Sequence, residues 1–226
     1  MLWLQILSAA LAGLALGCLA WLAARRFTGR YRSAAQETSF LGDEASATCA
    51  GPTPAGGVVT VGVMVLWGGW VGWQATSLPV AASALVVTSL LLCVTLVDLR
   101  VRRIPNELVL ALLAWAVVQM LWPGQPDWRG AVAGLAVAGI LFYLLALIGR
   151  GVVGLGDVKL EAALGALLGY PAVLAAMAVG IIAGGLTAAV LLLTHRAGRK
   201  DAFAYGPYLA LGAWLVLARV WGLWPG

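Results

Sequence analysis

The stretch PVAASALVVTSLLLCVTLVD, residues 79–98, decides the fold, because it is apolar for almost its whole length and ends on an aspartate. A run of about 20 apolar residues is what an α-helix needs to cross the hydrocarbon core of a bilayer. The sequence therefore predicts an all-α, polytopic membrane helical bundle with about eight transmembrane helices. The other apolar runs lie near residues 2–24, 58–74, 107–122, 129–149, 157–170, 171–194 and 204–222.

The composition of the chain agrees with a membrane environment. Of its 226 residues, 62% are hydrophobic and 10% are charged, whereas soluble domains are about half apolar and about one-quarter charged. The 29 glycines are also consistent with this assignment, because small residues let membrane helices approach each other closely. We therefore expect membrane lipids to surround the bundle.

The basic residues indicate which helix ends face the cytoplasm. Twelve of the fourteen Lys and Arg residues fall in four short clusters between apolar runs. Because basic loops stay on the cytoplasmic side, the N-terminus is predicted to lie outside the cytoplasm. No nucleic-acid partner is expected, because apolar spans would interrupt a basic binding face. The clusters are Arg25, Arg26, Arg30 and Arg32; Arg100, Arg102 and Arg103; Arg150 and Lys159; and Arg196, Arg199 and Lys200.

The polarity of the chain predicts three segments. Residues 1–24 are expected to form the first transmembrane helix, and residues 58–226 the membrane-embedded domain. Between them, Ser, Thr, Gly, Pro and Ala dominate residues 25–57 without an apolar period, which predicts a cytoplasmic polar loop with little packed structure. The three cysteines form neither a C-x-x-C pair nor an even set, so neither a disulfide nor a zinc site is expected.

The positions of the nine acidic residues narrow the search for chemistry. Five of them lie in polar connections, where solvated carboxylates are ordinary. The other four abut or enter an apolar run, where an ionisable group costs a few kcal/mol unless it reaches water, and such groups are functional candidates. These four are Asp98, Glu107, Asp157 and Glu161.

Asp98 and Asp157 each have an ordinary structural interpretation beside a catalytic one. Asp98 suits an interfacial ion pair with Arg100 or Arg102. Asp157 follows the glycine-rich segment GVVGLG at residues 151–156, where glycines permit positive φ and close backbone approach, and it suits an N-cap of the next helix. Two carboxyls at one membrane face also form a catalytic device, because one keeps its proton while the other is ionised and activates water.

Three motifs resemble those of the type IV prepilin peptidases, bacterial GxGD-type intramembrane aspartyl proteases. VDLRVRRIPNEL at 97–108 resembles the family's first aspartate motif, GLGDVKLEAALGALLG at 154–169 its GxGD motif, and AYGPYLALGAWL at 204–215 its [FY]-G-P-[FY]-L-A segment. The resemblance implies that Asp98 and Asp157 are the catalytic aspartates. It implies substrates that are prepilins or pseudopilins, cut between a short basic leader and an apolar helix. It also implies a multi-pass protein of the bacterial inner membrane, whose active site faces the cytoplasm.

Other residues of these motifs are candidates for supporting roles, although local backbone geometry explains each of them as well as catalysis does. They are Gly154 and Gly156 of the GxGD motif, Lys159 as a bias on the charge of Asp157, Pro105 and Asn106 at the turn into the fourth helix, and Gly206 and Pro207 as an opening of the last helix towards substrate.

The polar loop departs from the family pattern. In many members this loop carries two cysteine pairs that bind zinc, and it is associated with N-methylation of the new pilin terminus by S-adenosylmethionine. Here the loop contains Cys49 alone. We therefore expect leader cleavage without a metal or other cofactor, and we expect neither zinc nor S-adenosylmethionine to bind.

Other functions stay open at this point. A small transporter or channel would also place carboxylates within a membrane bundle. A catalytically silent relative would act as an assembly partner, and a bifunctional peptidase would also N-methylate the mature pilin. The only histidine, His195, lies in a basic connection, so a Ser-His-Asp site is not expected.

Overall fold

The structure, a computed structural model, describes residues 2–38, 54–122, 126–148, 154–194 and 204–224. Within these ranges the chain forms eight α-helices and no strands, which confirms the predicted all-α helical architecture. The helices are α1 (Leu2–Thr38), α2 (Pro54–Gln74), α3 (Leu78–Val101), α4 (Asn106–Gln119), α5 (Trp128–Ile148), α6 (Leu155–Leu168), α7 (Ala172–Leu193) and α8 (Gly206–Val220).

Five of these helices, α1, α2, α3, α5 and α7, are long and apolar enough to cross a membrane. The chain is therefore a multi-pass membrane protein. The helices α4 and α6 have 14 residues each and α8 has 15. At about 1.5 Å per residue they measure about 21–23 Å, which is shorter than the hydrocarbon core of about 30 Å. These three helices are not among the candidate spans.

The first helix differs from its prediction. The predicted loop with little structure at residues 25–57 is wrong for residues 54–57, because α2 begins at Pro54. It is also wrong for residues 25–38, because α1 continues to Thr38. Polarity marks where the membrane span ends, but this segment has no proline, and its Arg, Ala, Gln and Glu residues favour helix. The Arg25 guanidinium also lies 4.7 Å from the centroid of the Trp21 ring, one turn earlier on the helix.

Several predicted features lie outside the described residues. They are residues 39–53 of the polar loop with Cys49, the histidine His195, and the basic residues Arg150, Arg196, Arg199 and Lys200. The assignment of helix ends to the cytoplasm, and the external N-terminus, stay predictions.

The chain divides into two compact units, Met1–Arg103 with Trp221–Gly226, and Ile104–Val220. In the first unit, α1 packs on α2 through direct backbone contact. A methyl group at Gly13 would overlap the Met64 carbonyl oxygen, and one at Gly68 would overlap the Ala9 carbonyl oxygen. These glycines therefore let the two helices approach each other at the distance that membrane packing favours.

In the second unit, α6 is the central helix, because it contacts α4, α5, α7 and α8. It meets α5 where Gly165 faces Gly134, and a methyl group on either glycine would overlap the carbonyl oxygen of the other. The buried Gln119 of α4 donates from Nε2 to the Leu167 carbonyl oxygen of α6 at 3.2 Å. Residue 171 is a proline and has no N–H to donate to that carbonyl, so Gln119 supplies the missing donor.

Candidate active site

Asp98 lies in the first unit, near the C-terminal end of α3, and its side chain is 4% exposed. The helix ends after Val101, because Arg102 adopts a left-handed conformation with φ 52°. The Arg102 N–H donates to the Asp98 carbonyl oxygen at 2.8 Å. The Nη1 atom of Arg100 is buried and has no hydrogen-bond partner among the described residues. The ion pair of Asp98 with Arg100 or Arg102 stays a prediction.

Asp157 lies in the second unit, in the first turn of α6. Gly154 is the N-cap of this helix, and Asp157 is its third residue. The prediction of Asp157 as the N-cap is therefore wrong, because the helix begins at Leu155. The Asp157 Oδ2 instead accepts the Gly154 N–H at 3.1 Å, which stabilises a carboxylate at the positive end of the helix dipole. Burial raises the pKa of Asp157, and the Gly154 N–H acts in the opposite direction.

The glycines of the GxGD motif do not use the positive φ that glycine permits. Gly154 has φ −76°, and the described glycines with positive φ are Gly169 and Gly222. A Cβ atom on Gly156 would lie 3.5 Å from the Ile104 Cβ, which is an ordinary van der Waals contact. The contribution of Gly154 visible here is its backbone N–H, which any residue except proline would supply.

The supporting residues near α4 form a short polar link to α6. Pro105 is the N-cap of α4 with φ −62° and ψ 135°, so it shapes the turn into that helix as predicted. Asn106 follows as its first residue. The exposed Lys159 donates from Nζ to Asn106 Oδ1 at 3.2 Å. The ammonium of Lys159 therefore joins α6 to the start of α4, and its predicted bias on Asp157 stays a prediction.

The last motif begins the helix α8. Tyr205 precedes it, and its carbonyl oxygen accepts the N–H groups of Tyr208 at 3.1 Å and Leu209 at 3.3 Å. Gly206 and Pro207 are the first two residues of α8. Pro207 suits that position, because proline is favoured in the first turn, where its missing N–H has no partner in the helix. Their opening towards substrate stays a prediction.

Two ionisable side chains accompany Asp157 in the second unit. Glu161, one helical turn further along α6, is 1% exposed. Burial and the charge of Asp157 both raise its pKa. Burial raises the pKa of Tyr205, and the charges of Asp157 and Glu161 raise it further. The three groups therefore lie close enough to influence one another's ionisation.

These carboxyls are suited to moving protons. A carboxylate beside an uncharged carboxylic acid supplies one proton acceptor and one donor without a cofactor. In the described ranges no group of three or more His, Cys, Asp or Glu side chains is placed to hold a metal ion.

The sequence profile described as the type IV leader peptidase family matches residues 85–189. The match begins in α3, ends in α7, and contains both Asp98 and Asp157. Residues 85–189, which are less than half of the chain, are therefore similar to the type IV leader peptidase family. We call these residues the leader-peptidase segment. The third motif, at 204–215, follows this segment.

Relatives of the chain carry the name "Prepilin leader peptidase/N-methyltransferase". The protein of Bacillus subtilis is 30% identical over 139 residues, which are 62% of this chain and 55% of the relative. That of Neisseria gonorrhoeae is 32% identical over 162 residues, 69% of this chain and 55% of the relative. That of Burkholderia pseudomallei is 34% identical over 139 residues, 58% of this chain and 44% of the relative. The chain thus spans about half the length of these curated relatives. No solved structure matches the chain.

The sequence alone does not show that Glu161 and Tyr205 belong to the site. It shows Glu161 as an acid within an apolar run and indicates no role for it. Its spacing of four residues from Asp157, which puts both on one helix face, was the available signal. Tyr205 lies inside the quoted motif AYGP, at 204–207, and no feature of the sequence separated it from its neighbours.

Proposed function

We propose that this chain is a membrane aspartyl endopeptidase that removes the short basic leader from type IV prepilins or pseudopilins. The observation that carries the proposal is the leader-peptidase segment itself, which includes both aspartates at helix ends. Asp98 is buried and Asp157 is half-buried. The names of the relatives in Bacillus subtilis and Neisseria gonorrhoeae support the same activity.

In the proposed reaction, Asp98 and Asp157 act on the same peptide bond. The ionised carboxylate accepts a proton from a water molecule, whose oxygen attacks the carbonyl carbon of that bond. The protonated carboxyl donates to the carbonyl oxygen, so that a tetrahedral diol forms. The C–N bond then breaks, and the leaving amine receives a proton from the carboxyl that first accepted one. The other carboxylate takes back a proton from one hydroxyl of the diol, which becomes the carbonyl oxygen of the new C-terminal carboxyl group. No cofactor enters these steps.

The proposed substrate and location follow from the charges and the hydropathy. A substrate with a basic leader and an apolar helix would hold its cleavage site at the edge of the bilayer, where Asp98 lies near the C-terminal end of α3. The basic clusters after α1 and α3 favour the cytoplasmic face of the bacterial inner membrane. Lipids surround the apolar helices in this proposal, and no nucleic acid takes part.

N-methylation is a second candidate activity, because the names of the relatives include it. The single Cys49 in residues 25–57 argues against a zinc-binding loop of two cysteine pairs. We propose cleavage without zinc and without S-adenosylmethionine. If a cleavage assay supplied with radiolabelled S-adenosylmethionine yields labelled mature pilin, and a chelator removes the label, this part of the proposal is wrong.

The decisive experiment compares aspartate variants in cells that co-express a prepilin. Asp98→Asn and Asp157→Asn should each lower leader cleavage by about 10²- to 10⁴-fold, the contribution of a general acid or base. Asp127→Asn is the matched control, because Asp127 Oδ1 also accepts a backbone N–H at a helix start, from Gly130 at 2.8 Å. Membrane fractionation verifies that each variant inserts.

Two outcomes would contradict the proposal. Normal cleavage by either catalytic variant would remove that residue from the mechanism. Absence of cleavage by the unmodified chain, with transport of protons or cations that Asp98→Asn abolishes, would favour the transporter alternative.

A further inference from the structure

Glu161 occupies a position that the proposed reaction does not explain. It lies inside the second unit and is 1% exposed. The nearest buried residues before and after it on α6 are Leu160 and Ala163, which are both apolar. It follows Asp157 by four residues, so the two side chains share one face of α6, about one turn apart. Its depth differs from that of Asp157, which is half-buried near the start of the helix.

One oxygen of the Glu161 carboxyl, Oε2, is buried without a hydrogen-bond partner in the part of the chain that the structure describes. The cation closest to it along α6, Lys159, is exposed and donates to Asn106 instead. An unpaired carboxylate in such surroundings costs several kcal/mol, whereas the neutral acid avoids most of that cost.

The described residues of the elements packed around α6 also supply no cation to neutralise a carboxylate at this depth. From α4 the titratable group is Glu107, which is exposed. The titratable groups of α5 are Arg129 and Tyr143, which are both exposed. The sequence of α7 contains no titratable residue. Tyr205 precedes α8, whose own titratable groups are Tyr208 and Arg219 in its first and last turns. The charge that acts on Glu161 is the negative one of Asp157.

We propose that Glu161 is a positioning residue that retains a proton inside the second unit and thereby lets Asp157 be the ionised carboxyl at the start of α6. The inference rests on the proposed peptidase function. Asp157 can stay charged because it receives the Gly154 N–H and reaches the surface. Glu161 has neither advantage and stays neutral.

The consequence is an upper pH limit for cleavage. When alkaline solution removes the Glu161 proton, two negative charges lie one turn apart in a site with little water. Either Asp157 then takes a proton and stops acting as a base, or the first turn of α6 separates from its neighbours. Both responses reduce cleavage. A neutral isostere at position 161 removes this limit.

The test compares the unmodified chain, Glu161→Gln and Glu107→Gln in lipid nanodiscs, with a purified prepilin as substrate. The measurement is kcat/KM for leader removal from about pH 6 to about pH 9. The ratio of kcat/KM for Glu161→Gln to that of the unmodified chain should rise with pH, by about tenfold per pH unit once Glu161 ionises in the unmodified chain. The same ratio for the exposed Glu107→Gln should stay constant.

A ratio for Glu161→Gln that does not change with pH would overturn the proposal. Glu161→Met provides a second neutral side chain of similar length, and its ratio should rise in the same way. If neither neutral variant folds while the unmodified chain does, the fold needs the charged carboxylate, and the proposal is wrong.

A separate measurement distinguishes this inference from the proposed function. If the unmodified chain cleaves no prepilin, the peptidase function fails, and thermal unfolding decides the state of Glu161. The unfolding midpoint of the unmodified chain should then fall with rising pH more steeply than that of Glu161→Gln. Identical pH dependences would show that Glu161 holds no proton.

Discussion

Replacing Gly165 by alanine should separate α6 from α5 and destabilise the second unit. A methyl group at Gly165 would overlap the Gly134 carbonyl oxygen and would lie 2.9 Å from the Leu135 backbone nitrogen. Ordinary contacts of a Cβ atom begin at 3.4 Å. Both obstacles are backbone atoms of α5, so no side-chain rotation relieves them, and the helices must move apart by at least about half an ångström.

The expected free energy follows from two opposing effects. Overpacking of this kind costs about 1–3 kcal/mol, and a clash with backbone belongs near the upper end. Alanine recovers about 1 kcal/mol over glycine through its higher helix propensity. We therefore expect Gly165→Ala to lower the free energy of unfolding by about 2 kcal/mol.

Gly185→Ala in α7 is the matched control, because Gly185 is exposed and a methyl group there meets nothing within 4 Å. The assay is unfolding of both variants in lipid nanodiscs, followed by leader cleavage. Gly185→Ala should be as stable as the unmodified chain or more so, and should cleave normally. Equal stabilities of the two variants would refute the backbone contact between α5 and α6. The double variant Gly134→Ala/Gly165→Ala should cost less than the two single costs combined, because the first separation already makes room for the second methyl group.

Three further predictions concern polar groups of the bundle. Burial raises the pKa of Glu161 from 4.5 to about 8 in the folded chain. The free energy of unfolding should therefore be highest below about pH 4.5 and should decrease as the pH rises to about 8. Over that range the unmodified chain should lose up to about 5 kcal/mol relative to Glu161→Gln. Denaturant titrations at several pH values test this loss, and parallel curves would contradict it. Gln119→Ala should cost about 2–3 kcal/mol, because it opens a cavity and removes the donor to the Leu167 carbonyl. Trp70→Phe should cost only about 1 kcal/mol, because it removes one partly exposed hydrogen bond of 3.0 Å to the Leu223 carbonyl, and a shift in the thermal midpoint measures it.

Hydropathy located most of the helices, because the free energy of placing apolar side chains in lipid depends on composition alone. The seven apolar runs after residue 57 correspond to α2–α8 with ends that differ by at most four residues. The same signal failed at α1, where the helix continues through residues 25–38. A membrane span ends where the side chains become polar, whereas a helix ends where its backbone hydrogen bonds end. A polar segment without proline can therefore continue the helix into water.

Packing contacts were much less predictable than the helices. The number of glycines indicated close helix contacts, but no sequence rule identified Gly134 and Gly165 as the pair that meets between α5 and α6. The glycines of the GxGD motif permit positive φ, but Gly154 is an N-cap with an extended conformation. The role of such a glycine depends on the backbone that packs beside it, and the sequence does not show which backbone that is.

The chemistry of Asp157 depends on how firmly α6 is held by its neighbours. Gly165 follows Asp157 by eight residues, about 12 Å along the helix axis. A helix as short as α6 has no long span to absorb a displacement, so movement at Gly165 also moves the carboxyl at its start. A misplacement of about 1 Å at a reacting group can cost about 10²-fold in rate. The packing of Gly165 on α5 therefore affects both Glu161 in the core and Asp157 at the helix start. A variant at Gly165 should lower cleavage without changing any titratable group.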